Sequence, residues 1–238
     1  MIRLTGADGS SPVDLADAYA HPEGPWLRAN MVVSLDGATT IEGRLGGLTN
    51  PEDQVLLHLL RTFADVTMVG AGTIRAEGYG PLSVSDEVAA ARVARGQTAE
   101  PGLAIVTNSC GLDPSASLFG EARTRPIVLT CAAASVERRR ALEHVADVLL
   151  VGEESVDVAR AVAALHERGL TRVLTEGGPS LLGDLFGADL VDELLFVLSP
   201  MVVGGGLPLS TGRHAPLSMR LHAAHQGDDH LFLQYRRA

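Results

Sequence analysis

The chain has 238 residues, 46% of them hydrophobic, and a formal net charge of −10 at neutral pH. That is apolar material for one large core or two small ones. The acidic balance excludes the basic stripe of a nucleic-acid binder and obliges any phosphate-bearing ligand to find a local positive site. The only cysteines, Cys110 and Cys131, lie far apart at no metal-ligand spacing, which predicts a reducing, cytoplasmic setting. No basic segment followed by an apolar run opens the chain, and no stretch reaches membrane-spanning length, so neither a secretory nor a membrane role is expected.

Residues 1 to 25 are polar and read as an N-terminal extension, with a brief helix around Val13, Leu15, Ala16 and Tyr19. Residues 26 to 238 carry no linker or charge block and are expected to form a single domain. Its first strand runs from Trp26, with the apolar stretch Ala29 to Val33 suited to burial. Asp36-Gly37 supplies a turn, and the glycine-rich residues 38 to 50 read as an irregular loop. Pro51-Glu52-Asp53 opens a helix, with acids in the first turn as the macrodipole favours and Thr49 or Asn50 as cap. Val55, Leu56, Leu59, Leu60 and Phe63 keep one face of it. A strand at Val66 to Val69 closes on Gly70-Ala-Gly-Thr73, and residues 86 to 97 read as a surface helix ending near Gly96.

The second half alternates more regularly. Strands are predicted at Leu103 to Thr107, Pro126 to Thr130, Val148 to Val151, Arg172 to Thr175 and Glu193 to Leu198. Helices are predicted near Val136 to His144 and from Val158 to Glu167, the latter stopped by Gly169. Val173 to Gly183 then reads as a strand, a carboxylate, two glycines and a helix start, with Pro179 suited to the first helical turn. Met219 to Ala224 and His230 to Arg236 read as a terminal hairpin. The pattern predicts an α/β fold: a mostly parallel sheet with helices on both faces and antiparallel strands at its C-terminal end.

In parallel sheets ligands bind beyond the carboxyl ends of strands. Four polar or glycine-rich segments fall there: Asn30 to Asp36, Gly70 to Glu77, Thr107 to Ser109, and Thr175 to Leu182. Two of them, Gly70-Ala-Gly72-Thr73 and Gly177-Gly178-Pro179-Ser180, join glycines to a hydroxyl ahead of helical sequence. Two phosphate-cradling turns suggest a dinucleotide, although the G-x-G-x-x-G spacing of an ordinary dinucleotide-binding fold is missing at both. The eight histidines show no H-x-x-x-H or H-E-x-x-H placement, so no metal is expected. Ser34 lies on a strand rather than a nucleophile elbow, which disfavours a serine hydrolase.

Taken together, Ser34-Leu-Asp-Gly37, Leu48-Thr49, Leu60-Arg61, Val69-Gly-Ala-Gly-Thr73, Thr175-Glu-Gly-Gly178, Leu190-Val-Asp-Glu-Leu194 and Pro200 through Gly206 resemble the reductase domain of riboflavin biosynthesis. That is the family of RibD C-terminal domains and bacterial pyrimidine reductases, with a dihydrofolate-reductase-like fold. The ordered set spans residues 27 to 206, and Glu77-Gly-Tyr79 makes the chain similar to a stand-alone, actinobacterial-type branch. The resemblance implies NADPH-dependent reduction of the ribosyl group of 5-amino-6-(5-phosphoribosylamino)uracil to ribityl, in a homodimer. Hydride passes from nicotinamide C4 to the sugar C1′, and the protein orients the reactants and excludes water.

The same resemblance implies the site. Val32, Gly70, Gly72, Thr73 and Glu77 would approach the cofactor, and Gly177, Gly178, Pro179, Ser180, Leu181, Leu182 and Gly183 would hold its pyrophosphate. Ser109 would lie near the adenosine 2′-phosphate. Glu176 would face the pyrimidine, where a carboxylate accepts from ring N–H and amino groups. Asn30 and Leu82 would touch the substrate, and Thr49 and Arg61 would sit near its phosphate. Glu176 and Asp36 are the expected catalytic residues; Glu77 or a water are other proton sources left open.

The chain departs from the family at three places. Asn30 stands where many members have lysine; Ala76-Glu77-Gly78-Tyr79-Gly80-Pro81 replaces an Ala-Asp-Asp-Pro run; and Ser85 replaces an arginine. No cysteine/histidine deaminase segment precedes the reductase. Two alternatives stay open: reduction of a pteridine such as dihydrofolate, and a regulatory protein that binds a nucleotide without catalysis.

Overall fold

The computed structural model describes residues 1–4, 12–212 and 214–238. Part of the expected N-terminal extension, residues 5–11, therefore lies outside the described residues. Along the chain the strands are β1 (Ile2–Arg3), β2 (Trp26–Val33), β3 (Val66–Gly70), β4 (Gly102–Val106) and β5 (Ile127–Thr130). They continue with β6 (Asp147–Leu150), β7 (Arg172–Thr175), β8 (Glu193–Leu198), β9 (Met219–Gly227) and β10 (His230–Arg237). The helices are α1 (Leu15–Ala18), α2 (Pro51–Phe63), α3 (Ala71–Glu77) and α4 (Asp86–Ala94). They are followed by α5 (Ser117–Gly120), α6 (Val136–Glu143), α7 (Val158–His166) and α8 (Pro179–Gly187). The chain forms two compact units, the first from Met1–Leu60 with Thr175–Ala238 and the second from Arg61–Leu174.

In the first unit the strand order is β1-β9-β10-β8-β2. β2 pairs with β8 in parallel, opposing Arg28 to Glu193 and Val33 to Leu198. β8, β10, β9 and β1 are successively antiparallel, which is the expected C-terminal hairpin with one short strand added from the N-terminus. The hairpin turns through Asp228, whose φ is +48°. β2 shows the run of buried residues that its sequence demands, every residue after Trp26 being buried. One of them is charged. Arg28 donates from Nε to Glu193 Oε2 at 2.5 Å, and Glu193 Oε1 also accepts from Gln234 at 2.7 Å and Arg236 at 3.1 Å. Burial alone would push the Glu193 carboxyl up, but the two arginines outweigh it and hold it below its ordinary value.

In the second unit the order is β7-β3-β4-β5-β6, with β3, β4, β5 and β6 mutually parallel. Its core joins Val69, Ile74, Ile105, Phe119, Val128 and Leu142, with Tyr79 and Leu82 packed against it. Each such aliphatic or aromatic side chain contributes about 1.5–3 kcal/mol by leaving water. α7 begins as its sequence dictates, Asp157 accepting from the N–H groups of Ala159 and Arg160. It ends before Gly169, which takes the left-handed conformation at φ +77°.

Two elements depart from the sequence reading. The helix expected over 86–97 stops at Ala94, and it is not wholly a surface helix, because Arg92 is fully buried. Its guanidinium donates to the carbonyls of Arg61, Thr62, Ala64 and Thr98, binding carbonyls at the end of α2 that the helix itself leaves unpaired. Burial lowers the Arg92 pKa to about 10. The short helix α5 was not anticipated, since four residues are too few to show a periodicity.

Candidate active site

The first unit assembles most of the predicted residues. β7 ends at Thr175, whose hydroxyl accepts from the Gly177 N–H at 3.3 Å. Glu176 is thereby the residue between strand and turn. Gly177 has φ +84° and is joined to Gly178 by a cis peptide bond. The left-handed conformation requires glycine there, whereas a Cβ would meet only the movable end of the Met31 side chain. Gly178 is the N-cap of α8, Pro179 occupies the first turn, and no side chain caps the helix start. The N–H groups of that first turn form the natural seat for an anionic oxygen.

α8 is fixed from one side by the segment around Thr211. Thr211 N donates to Pro179 O at 3.0 Å, and its hydroxyl donates to Ser180 Oγ at 3.2 Å. A Cβ on Gly183 would overlap the Thr211 carbonyl, so that glycine sets how closely the helix approaches. Leu181 and Leu182 are buried anchors of the same helix.

β2 supplies Asn30 and Val32, both buried. The Asn30 side-chain oxygen is buried with no hydrogen-bond partner. Beyond the strand, Asp36 accepts from the Ser34 hydroxyl at 2.5 Å and from the N–H groups of Val203 at 3.1 Å and Gly204 at 2.7 Å. Ser34 in turn accepts from Ala38 N at 2.9 Å. These bonds, the Ser34 hydroxyl first among them, lower the Asp36 pKa to about 2. Its oxygens are committed to holding two loops together and carry no proton near neutrality.

Thr49 and Asn50 precede α2. Asn50 Oδ1 caps it by accepting from Asp53 N at 2.8 Å, and the Asn50 amide contacts His230 Nδ1 at 3.1 Å. Thr49 donates its hydroxyl to Asp53 Oδ2 at 2.5 Å and accepts from Gln54 Nε2 at 2.9 Å. Asp53 is a first-turn acid of α2, as expected, and it is buried there. It is 2% exposed, and burial raises its pKa against the opposing pull of Thr49 and His230. Glu176 is near enough for its charge to act on Asp53 as well.

The second unit brings together the remaining predicted residues. Gly70 ends β3 and is the N-cap of α3, which carries Gly72, Thr73 and Glu77. A Cβ on Gly72 would meet nothing within 4 Å, so the space beside that turn is open. α3 ends in Gly78, left-handed at φ 61°, which turns Tyr79 back so that its N–H reaches Ile74 O at 3.2 Å. The Tyr79 hydroxyl accepts from Arg61 Nη2 at 2.8 Å, and the Arg61 guanidinium lies 5.4 Å from the Tyr79 ring centre. Leu82 packs against the core of this unit. The loop after β4 is ordered by Thr107, whose hydroxyl accepts from Ser109 N and Cys110 N, while Ser109 Oγ accepts from Gly111 N at 3.3 Å. Cys110 and Cys131 are free and buried, and burial raises the Cys110 thiol.

Sequence reasoning gave no site role to Asp53, Tyr79 or Thr211, and marked Thr107 only as part of the segment Thr107 to Ser109. For Tyr79 a signal existed, an aromatic directly after a helix-stopping glycine and one α-helix away from an arginine. For Thr211 none did, because its partner lies 31 residues away.

Among the described residues no helix is long and apolar enough to cross a membrane. The strands and the two glycine turns define an α/β protein of the dihydrofolate-reductase kind: dihydrofolate reductase from Enterococcus faecalis superposes with a TM-score of 0.50 at 16% identity, covering 89% of this chain and 96% of that one. Within that class the chain belongs to the family described as the RibD C-terminal domain, whose family model matches residues 25–232. A 2,5-diamino-6-ribosylamino-4(3H)-pyrimidinone 5′-phosphate reductase from Archaeoglobus fulgidus is 32% identical over 76% of this chain and 83% of its own. The enzyme of the same name from Aquifex aeolicus is 30% identical over 77% and 80%. A pyrimidine reductase-like protein from Corynebacterium diphtheriae has the same fold, with a TM-score of 0.81 at 27% identity, covering 90% of this chain and 92% of that one.

Proposed function

We propose that this protein reduces the ribosyl side chain of a 5′-phosphorylated ribosylaminopyrimidine to ribityl, with hydride from NADPH. The carrying observation is the placement of Glu176 between the end of β7 and the uncapped start of α8, in a chain of this reductase family. Family membership calls for a nicotinamide cofactor, and the residues present fit one. The start of α8 lacks a side-chain cap, and the turn at Gly72 leaves open space. Gly178 to Gly183, in the first unit, are the residues that would hold it. The cofactor supplies the hydride; the chain binds, orients and excludes water.

The substrate's base selects between two close compounds. The 2,5-diaminopyrimidinone offers a ring N–H and an amino group side by side, which a carboxylate accepts as a pair. The deaminated uracil has a carbonyl in the amino position and presents its adjacent N–H pair at a different edge, N1 and the 6-amino nitrogen, so it meets Glu176 in a different orientation. The diamino compound is the preferred reading because it is the one for which the Archaeoglobus and Aquifex relatives are named. Arg61 and Thr49 are assigned to the phosphate. Asp36, with its oxygens engaged, serves loop order rather than proton transfer. Pairing of two copies is part of this reading and is read by sedimentation.

The test is NADPH oxidation with the diaminopyrimidinone, the uracil and dihydrofolate in parallel. The expected order of kcat/KM is diamino compound, then uracil, with dihydrofolate inactive. Glu176→Gln is expected to lower kcat/KM for the diamino compound by ~10–100-fold, the worth of a charge-assisted pair of bonds, with NADPH affinity unchanged. Turnover of dihydrofolate alone refutes the proposal.

A further inference from the structure

α2 starts on one particular face of the first unit's sheet. His230 donates or accepts at both ring nitrogens, to Leu48 O at 3.0 Å and with the Asn50 amide at 3.1 Å, which ties the segment before α2 to β10. Alternation along β10 puts Phe232, Gln234 and Arg236 on the same side as His230. Gln234 and Arg236 both bond Glu193, and Glu193 lies opposite Arg28 in β2. Asn30, two residues beyond Arg28, therefore shares the face on which the start of α2 rests.

Asp53 is in the first turn of α2, 2% exposed. Its Oδ2 has one partner, the Thr49 hydroxyl, and its Oδ1 is buried with none. No arginine, lysine or terminal amine pairs with it among the described residues; the Met1 ammonium is taken by the neighbouring Glu52 at 2.9 Å. The groups around it are Thr49, Asn50 and Glu52 from its own segment, His230 from β10 and Glu176 from the turn after β7. A buried carboxylate with one hydrogen bond and no arginine or terminal amine, close to a second carboxylate and opposed only by a nearby histidine, is costly for a protein interior to hold. The proton removes that cost.

We propose that Asp53 is a positioning residue for Glu176: it stays a neutral carboxylic acid, so that Glu176 alone carries the negative charge that receives the pyrimidine's N–H groups. The upward push that burial gives the Asp53 carboxyl agrees with this. When Asp53 does ionise as pH rises, its charge repels Glu176 and the base-binding geometry is lost. The assignment of Glu176 to the base rests on the reductase reading above; the protonation of Asp53 does not.

Two measurements test it together. Infrared difference spectra of wild type against Asp53→Asn at neutral pH, without ligands, should show the C=O stretch of one protonated carboxyl in wild type and its loss in the variant. In turnover, Asp53→Asn mimics the neutral acid, so the alkaline limb of its kcat/KM should lie about one pH unit or more above that of wild type. Asp53→Ala, which leaves the Thr49 hydroxyl unpaired, should raise KM by ~10-fold with NADPH affinity unchanged. A superimposable alkaline limb in wild type and Asp53→Asn, or no lost carboxyl band, overturns the proposal. Loss of turnover in Asp53→Asn overturns it too, since the carboxyl would then be needed as an acid. A wild-type protein with no turnover at all refutes the reductase reading, and the infrared result still decides the state of Asp53.

Discussion

Gly183 offers a direct probe of how α8 is set for the cofactor. A methyl group there lands on the backbone carbonyl of Thr211, which cannot rotate away as a side chain would. Gly183→Ala therefore forces α8 and the Thr211 segment apart, the same segment that bonds Pro179 and Ser180 at the helix start. Such overpacking costs about 1–3 kcal/mol. The alanine also returns roughly 0.5–1 kcal/mol of helix propensity. Gly187 gives the control, because a Cβ there has only an ordinary contact of 3.9 Å with His214 Cβ. Gly187→Ala has the propensity gain without the overlap, so the difference between the variants isolates the overlap, about 1–3 kcal/mol. In a chain of this length each kcal/mol moves Tm by ~2–4 °C, so calorimetry should separate the two by ~2–12 °C. NADPH titrated by fluorescence should bind Gly183→Ala at least ~10-fold more weakly than Gly187→Ala, about 1.4 kcal/mol. Equal Tm values, or equal NADPH affinity at unequal Tm, would refute the claim that Gly183 sets the cofactor's helix.

Two further outcomes follow from the first unit's buried and looped acids. Asp36→Ala should speed hydrogen exchange at the Val203 and Gly204 amides while leaving β2 protected. Because the Asp36 pKa is lowered to about 2 from 3.8, its stabilising bonds are fully present above pH ~4 and fade as pH falls toward 2, and the variant should lack that acid-dependent step. Glu193→Gln leaves Arg28, 1% exposed, without its main counter-charge. It should cost about 3–5 kcal/mol in denaturant unfolding, with Arg28→Met on the same background recovering part of the loss.

Much of the candidate site was legible because it is local. The Gly177-Gly178-Pro179 run writes its own turn and helix start, since a positive φ, an N1 proline and close approach are each properties of single residues. Glu176 stood out as a carboxylate between an apolar strand and that turn. Asp53 was legible as a first-turn acid, which it is, but its burial was not. First-turn acids are ordinary, and only the packing of Leu48 and Asn50 against His230, some 180 residues away, turns this one inward. Asp36 is another case: its turn was visible, but the two N–H groups that occupy it lie 167 and 168 residues further on.

The sequence by itself determined nine of the ten described strands, most helices, the Gly177-Gly178 turn and the family, because periodicity, turn chemistry and motif order are written along the chain. The tertiary structure alone decided which charges are buried and what they meet. Arg92 closes the end of α2, Arg28 and Glu193 neutralise one another inside a sheet, and Asp53 is buried within reach of the Glu176 charge. The physical reason is that solvation and charge are set by neighbours in space, and no local pattern records which distant segment removes the water.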